Sequence, residues 1–184
     1  MNLANQITLV RIFLVPVFLG ALIYYSPEKS YLLFVSISVF LLACMTDAVD
    51  GYLARRLHQK TTLGSYIDPM ADKLLLVSGF LSLSFMNHLP ASTRIPAWVT
   101  IPVITRDALI LVGALMIFLT TGKLKAQPLP VGKATTVSQM VTLFLSLISA
   151  APSIQLFFFV ATVGLTILSG VFYLRLGGKI LQAI

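Results

Sequence analysis

Four aspartates lie close together in a chain that contains few other charged residues. Asp47 and Asp50 are three residues apart, and Asp68 and Asp72 are four residues apart. On an α-helix, residues at either spacing lie on one face. A chain reversal between the pairs would fold the two helices antiparallel and gather four carboxylates around one small volume. This cluster is therefore the candidate reaction centre.

Carboxylates gathered in this way repel one another, and removing them from water is costly. Divalent cations or protons relieve that repulsion. Oxygen ligands without His or Cys favour hard cations, so the cluster predicts Mg²⁺ or Mn²⁺. Two such ions can clamp the phosphates of a substrate and stabilise the attacking and leaving oxygens. Helix capping or a solvated loop would explain a single aspartate, but four at these spacings favour a metal site.

Small residues and an arginine accompany the aspartates. Gly51 and Ala54 lie beside the aspartate face, where they leave room for a substrate to reach the helix backbone. Gly64 permits close helix packing. Arg55 is placed to meet a phosphate or a carboxylate. The segment therefore predicts a site that handles phosphate groups.

The helices that carry this site belong to a strongly apolar chain. Of the 184 residues, 58% are hydrophobic and 10% are charged, whereas soluble domains carry about 25% charged residues. These values exclude a water-soluble domain and a disordered chain, and they predict one integral membrane domain over residues 1–184.

Six apolar segments predict an all-α protein with six transmembrane helices, at residues 7–25, 31–45, 74–85, 97–120, 137–151 and 154–173. A spanning helix needs about 20 residues. The second and third segments reach that length only if the polar stretches 46–57 and 62–73 continue them. The aspartates then lie on helices at the membrane boundary.

The distribution of Lys and Arg predicts the orientation of these helices. With the N-terminus in the cytoplasm, the outer face carries only Lys29 and Arg94. The cytoplasmic face carries the larger set: Arg11, Arg55, Arg56, Lys60, Lys123, Lys125, Lys133, Arg175 and Lys179. Because cytoplasmic loops are enriched in basic residues, both termini and the aspartate-bearing ends of the second and third helices are predicted to face the cytoplasm.

The pattern Asp-x2-Asp-Gly-x2-Ala-Arg-x8-Gly-x3-Asp-x3-Asp runs from Asp47 to Asp72. It resembles the signature of the CDP-alcohol phosphatidyltransferases. The resemblance implies a membrane enzyme, usually a homodimer, that transfers a phosphatidyl group from CDP-diacylglycerol to an alcohol and releases CMP. It also implies roles for particular residues. Two divalent metals would be bound by Asp47, Asp50, Asp68 and Asp72, with Asp72 also the general base, and the CDP-diacylglycerol site would be lined by Gly51, Ala54, Arg55 and Gly64.

Two further patterns resemble the branch of that family that makes phosphatidylglycerophosphate and cardiolipin. The first is Asn-x2-Thr-x2-Arg at residues 5–11, and the second is Gly-Lys-x2-Thr-x2-Gln at residues 132–139. Arg11, Arg106 and Lys133 are three cations that can converge on an anionic acceptor. The predicted acceptor-binding residues are Asn5, Thr8, Arg11, Arg106 and Lys133.

Glycerol 3-phosphate is the favoured acceptor, and phosphatidylglycerol is the alternative, because Arg106-Asp107 resembles the cardiolipin synthases at this point. Each cation also has a structural interpretation. Arg106 can pair with Asp107, Lys133 can be an ordinary cytoplasmic loop charge, and Arg11 can extend to the membrane interface. Trp98 and the tyrosines suit interfacial anchoring.

Two other classes of function fit less well. The net charge of +7 suggests nucleic-acid binding, but the basic residues are scattered between apolar segments without interleaved aromatic residues. A transporter would distribute its acids along several spans, often with inverted repeats. The resemblance implies a lipid-synthesising enzyme in a bacterial inner membrane. The charge pattern predicts an active site that faces the cytoplasm and no nucleic-acid partner.

Overall fold

The structure is a computed structural model that describes residues 3–57, 62–121 and 129–182. Within these ranges the chain forms six α-helices, and no strand occurs in them. In chain order the helices are α1 (Leu3–Ile23), α2 (Tyr31–Leu57), α3 (Thr62–Phe85), α4 (Ala97–Thr121), α5 (Pro130–Leu147) and α6 (Pro152–Gln182). Short 3-10 turns at Pro27–Lys29 and Ala91–Thr93 follow α1 and α3. The prediction of an all-α chain with six helices is confirmed for these ranges.

Helices α2 and α3 continue from their apolar segments through the polar stretches beside them. Helix α2 has 27 residues and α3 has 24. A spanning helix needs about 20 residues, and both helices are longer than that. The prediction that the aspartate-bearing stretches extend the two apolar segments as helix is confirmed.

The chain divides into two compact units. The first consists of Met1–Arg94 with Ser146–Ser149. In it α1 packs against both α2 and α3. Phe18 of α1 and Phe40 of α2 are buried with their ring centroids 6.2 Å apart. After α3, the chain is tied back to α1 by His88, whose Nε2 lies 2.8 Å from the carbonyl oxygen of Leu22.

The second unit consists of Ile95–Leu145 with Ala150–Ile184, and in it α4 packs against α6. Trp98 of α4 meets the edge of Phe159 of α6, with ring centroids 6.3 Å apart. Helices α5 and α6 both begin with proline, Pro130 in α5 and Pro152 in α6. The first position of a helix suits proline, since its amide would have no partner within the helix.

Hydroxyl groups join α5 to α6. The Thr162 hydroxyl lies 2.6 Å from that of Ser138 and 2.7 Å from that of Thr142. One turn away, the Thr135 hydroxyl donates to the Leu165 carbonyl at 3.2 Å. We call Thr135, Ser138, Thr142 and Thr162 the hydroxyl seam. Small polar residues of this kind allow helices to approach closely and to hydrogen-bond inside a membrane.

The turn between α5 and α6 is closed by its own backbone. The Ser149 amide donates to the Ser146 carbonyl, and the Ala150 amide donates to the Leu145 carbonyl, each at 3.0 Å. Ser149 has φ of 52°. A residue in the left-handed region together with these two bonds forms a Schellman turn, which ends a helix and satisfies its last carbonyls. The chain therefore reverses within four residues.

The exterior carries many large apolar side chains, and several of the buried ones are polar. Phe13, Phe34, Leu119 and Phe157 are among the most exposed. The segments Ala91–Met116 and Pro152–Gly178 are long and apolar enough to cross a membrane, and Val10–Ile23, Tyr31–Thr46 and Lys73–Phe85 are shorter apolar helices. An apolar exterior suits a lipid environment, where backbone groups must be satisfied within the helices themselves.

Candidate active site

The four aspartates of the sequence cluster lie on two helices that pack against a third. Asp47 and Asp50 belong to α2, Asp68 and Asp72 belong to α3, and the chain passes from one helix to the other between Leu57 and Thr62. Because both helices pack against α1, that helix holds the two backbones that carry the cluster. A helical backbone also makes each pair of aspartates share one face.

The side chains of the cluster lie outside the part of the chain that the structure describes. The same is true of those of Asn5 and Thr8 in α1, and of the predicted CDP-diacylglycerol residues Gly51, Ala54, Arg55 and Gly64. Their roles stay predictions. The donor chemistry fits a divalent metal ion, since four carboxylates offer only oxygen ligands. Among the side chains that the structure does describe, no three His, Cys, Asp or Glu residues are grouped to hold a metal.

Arg11 of α1 is buried, with 1% of its surface exposed. Of the interpretations that the sequence left open, extension of its side chain to the membrane interface does not fit this burial. A buried guanidinium needs compensating charge or hydrogen bonds. Arg11 is therefore held inside the first unit, on the helix that supports both halves of the aspartate cluster.

Arg106 and Asp107 form a buried ion pair in α4. Arg106 Nη1 lies 2.7 Å from Asp107 Oδ1, and the two side chains are 6% and 4% exposed. Arg106 Nη2 donates to the Ser169 hydroxyl of α6. The expectation that Arg106 can pair with Asp107 is confirmed. Its Nε is buried and has no hydrogen-bond partner among the described residues.

Tyr173 of α6 meets both α4 and the start of α5. Its ring lies beneath the guanidinium of Arg106, with the guanidinium carbon 5.4 Å from the ring centroid. Its hydroxyl accepts a hydrogen bond from the Leu129 amide at 3.2 Å. Gly132, in the first turn of α5, lies against the same side chain, because a Cβ added there would lie 2.7 Å from the Tyr173 hydroxyl oxygen.

Lys133 lies in the first turn of α5 with an exposed side chain. Its amide donates to the Leu129 carbonyl at 3.2 Å. Arg106 and Lys133 both belong to the second unit and Arg11 belongs to the first. Their convergence on one acceptor stays a prediction.

Sequence reasoning did not identify Ser169 and Tyr173 as neighbours of Arg106, and it grouped Tyr173 with the interfacial tyrosines. A signal was present in α6. Thr162, Thr166, Ser169 and Tyr173 follow one another at intervals of four, three and four residues. That spacing marks one polar face on an otherwise apolar helix. Sequence reasoning also assigns no role to Gln139, the last residue of the second branch pattern, which is fully buried.

Several curated proteins have sequences similar to that of this chain. The chain is 42% identical over 106 residues to a Mycobacterium tuberculosis (strain H37Rv) protein described as a probable phosphatidylglycerophosphate synthase, an alignment that covers 58% of this chain and 48% of that protein. It is 44% identical over 102 residues to a protein of Pseudomonas fluorescens, covering 55% of this chain and 50% of that one. The chain thus spans about half the length of these two relatives.

A third relative is aligned over more of its length. The protein of Escherichia coli (strain K12) is 34% identical over 145 residues, which cover 77% of this chain and 74% of that protein. The Pseudomonas and Escherichia proteins share the name CDP-diacylglycerol--glycerol-3-phosphate 3-phosphatidyltransferase. The model of the CDP-alcohol phosphatidyltransferase family matches residues 1–168. The chain therefore belongs to the CDP-alcohol phosphatidyltransferase family.

Proposed function

We propose that this protein transfers a phosphatidyl group from CDP-diacylglycerol to glycerol 3-phosphate, which gives phosphatidylglycerophosphate and CMP. The observation that carries the proposal is the complete family motif from Asp47 to Asp72, carried on two helices that both pack against α1. The names of the relatives support the same reaction.

In the proposed reaction Asp72 accepts the proton of the acceptor hydroxyl as the hydroxyl oxygen bonds to the phosphorus that bears diacylglycerol. The bond from that phosphorus to the bridging oxygen breaks, and CMP leaves with the bridging oxygen. Gly51, Ala54, Arg55 and Gly64 bind and orient the cytidine diphosphate. Two divalent ions held by Asp47, Asp50, Asp68 and Asp72 supply positive charge to the diphosphate when bound.

Arg11, Arg106 and Lys133, with Asn5 and Thr8, are proposed to bind the acceptor. The free Nε of Arg106 supports this role, because a guanidinium that already has one carboxylate partner can still donate to a phosphate oxygen. Lys133 supports it through its exposed position in the first turn of α5, since a helix N-terminus also favours a nearby anion.

Phosphatidylglycerol is the second candidate acceptor, with cardiolipin as the product. The specific observation in its favour is that Asp107 follows Arg106. This pair resembles the cardiolipin synthases, whereas the members of the family that use glycerol 3-phosphate carry Arg-Glu at this point. The two acceptors differ in position as well as charge, since glycerol 3-phosphate arrives from water and phosphatidylglycerol from the bilayer.

The deciding experiment measures CMP release from CDP-diacylglycerol by the purified protein in lipid, with Mg²⁺ or Mn²⁺. Glycerol 3-phosphate and phosphatidylglycerol are supplied side by side, and the lipid products are identified. We expect phosphatidylglycerophosphate, loss of activity on chelation, and restoration when the metal is returned. Cardiolipin as the main product would move the assignment to the second acceptor, and no CMP release with any acceptor would refute the enzyme proposal.

The Asp72→Asn variant is the matched control for this assay. We expect it to abolish turnover while largely retaining binding of CDP-diacylglycerol, because the amide cannot accept the proton. Normal turnover by the variant would exclude Asp72 as the base.

Four further properties stay predictions. They are placement in a bacterial inner membrane, a cytoplasmic active site, one domain over residues 1–184 and a homodimer. Labelling of Glu28→Cys from outside the cell tests the orientation.

A further inference from the structure

Tyr173 is bonded to the turn that begins α5. Its hydroxyl accepts the Leu129 amide hydrogen at 3.2 Å, and the Leu129 carbonyl accepts the Lys133 amide hydrogen, also at 3.2 Å. Two hydrogen bonds therefore lead from the phenol to the backbone of Lys133. Pro130 stands between Leu129 and Lys133 at the first position of the helix, where its fixed φ limits how the turn can rearrange.

Gly132 lets this turn approach Tyr173 closely. A Cβ at this position would lie 2.7 Å from the Tyr173 hydroxyl oxygen, 3.1 Å from its Cε2 and 3.3 Å from Arg106 Nη2. Real Cβ atoms essentially never approach another atom within 3.0 Å, so any side chain at 132 displaces the phenol. The absence of a side chain thus allows α5, Tyr173 and Arg106 to pack together.

The same tyrosine supports Arg106. The guanidinium carbon lies 5.4 Å from the ring centroid, within the range of a cation–π interaction. Arg106 Nη2 donates to Ser169, which lies four residues before Tyr173 and therefore on the same face of α6. One face of α6 thus holds the guanidinium from two directions.

We propose that Tyr173 is a positioning residue that fixes Arg106 of α4 and the first turn of α5, with Lys133, at one spacing. By fixing this spacing, Tyr173 strengthens the binding of the phosphate of the anionic acceptor, and it does not affect the binding of CDP-diacylglycerol. The inference rests on the proposed function, since it takes Arg106 and Lys133 as acceptor-binding residues. Tyr173 itself touches neither substrate in this proposal.

The test compares Tyr173→Phe, Gly132→Ala and the double variant in steady-state kinetics. Tyr173→Phe removes the hydrogen bond to Leu129 and keeps the ring beneath Arg106. We expect the KM for glycerol 3-phosphate to rise about fivefold, the effect of one ordinary hydrogen bond, with the KM for CDP-diacylglycerol unchanged. Gly132→Ala is expected to raise the acceptor KM further, because its methyl group displaces the phenol.

The double variant provides the sharpest outcome. Removing the hydroxyl takes away the atom that the new methyl group would meet at 2.7 Å. The remaining close contacts are with Tyr173 Cε2, at 3.1 Å, and with Arg106 Nη2, at 3.3 Å, and shifts of a few tenths of an ångström in the ring and the guanidinium relieve them. We expect Tyr173→Phe to restore part of the acceptor affinity that Gly132→Ala removes, which is a non-additive effect of two contacting residues.

Tyr31→Phe and Gly164→Ala are the matched controls. Tyr31 is an exposed tyrosine in the first unit, and a Cβ at Gly164 of α6 would meet nothing within 4 Å. Both controls should leave the two KM values unchanged. Unfolding temperatures in the same detergent identify any variant that does not fold, and if Gly132→Ala fails, Tyr173→Phe alone decides.

Two results would overturn the inference while the wild type remains active. One is an acceptor KM for Tyr173→Phe within twofold of the wild-type value. The other is an equal rise in both KM values, which would indicate general loosening of the fold. A wild type that transfers phosphatidyl groups to no acceptor would instead refute the proposed function, and the inference with it.

Discussion

At the scale of single residues, Arg106 and Asp107 depend on each other. Their charges are 2.7 Å apart and almost fully buried. Removing one partner of a buried pair leaves the other charge uncompensated, which typically costs about 3–5 kcal/mol. The pair therefore has a structural role in α4 as well as its proposed role toward the acceptor.

We expect Asp107→Ala to destabilise the protein by about 3 kcal/mol or more for this reason. Thermal unfolding in detergent, compared with wild type, measures the effect. Glu28→Ala is the control, since Glu28 is an acid in an exposed turn and surface substitutions usually change stability by about 0.5 kcal/mol or less. Equal unfolding temperatures for the two variants would show that the pair contributes nothing to stability.

At the scale of helices, the hydroxyl seam joins α5 to α6 through Thr162. Its hydroxyl is the only oxygen of the described residues that meets those of both Ser138 and Thr142. The three hydroxyls can satisfy one another without water. If the Thr162 hydroxyl is lost, the hydroxyls of Ser138 and Thr142 must find other hydrogen-bond partners in an apolar environment.

We expect Thr162→Val to lower the stability of the folded protein by about 0.5–2 kcal/mol, the range measured for hydrogen bonds between membrane helices. Thr136→Val is the matched control, because the Thr136 hydroxyl bonds to the Gly132 carbonyl of its own helix. Chemical or thermal unfolding of both variants gives the comparison. A larger loss of stability in Thr136→Val than in Thr162→Val would show that the hydroxyl seam is not the stabilising contact.

Contacts within one helix can be predicted from the sequence more readily than contacts between helices. The spacing of Asp47, Asp50, Asp68 and Asp72 is local, so helical continuation of α2 and α3 was predictable from the sequence. Arg106 meets Ser169, 63 residues away, and Leu129 meets Tyr173, 44 residues away. Those contacts depend on how α4 and α5 pack against α6, which hydrophobic spacing alone does not determine. The Arg106–Asp107 pair was open to prediction because its partners are adjacent.

At the scale of the whole molecule, several polar side chains of the described residues are buried and many of their large apolar side chains are exposed. Arg11, Arg106, Asp107 and Gln139 are buried, and Phe13 and Phe157 are exposed. The low charge content of the sequence indicates a membrane protein, and the many exposed apolar side chains of the described helices agree with that interpretation. Each buried polar group then needs a partner inside the protein.

The four-residue turn after α5 has a consequence for biosynthesis. Helix α5 carries three hydroxyls of the seam, and it is not among the apolar helices found in the described residues, whereas Pro152–Gly178 is a candidate span. The ribosome releases α5 first, when its partner α6 does not yet exist. We expect the two helices to enter the bilayer together as a hairpin. A chain that ends before Pro152 should leave α5 accessible to protease, whereas protection of that truncated chain would show that α5 enters alone.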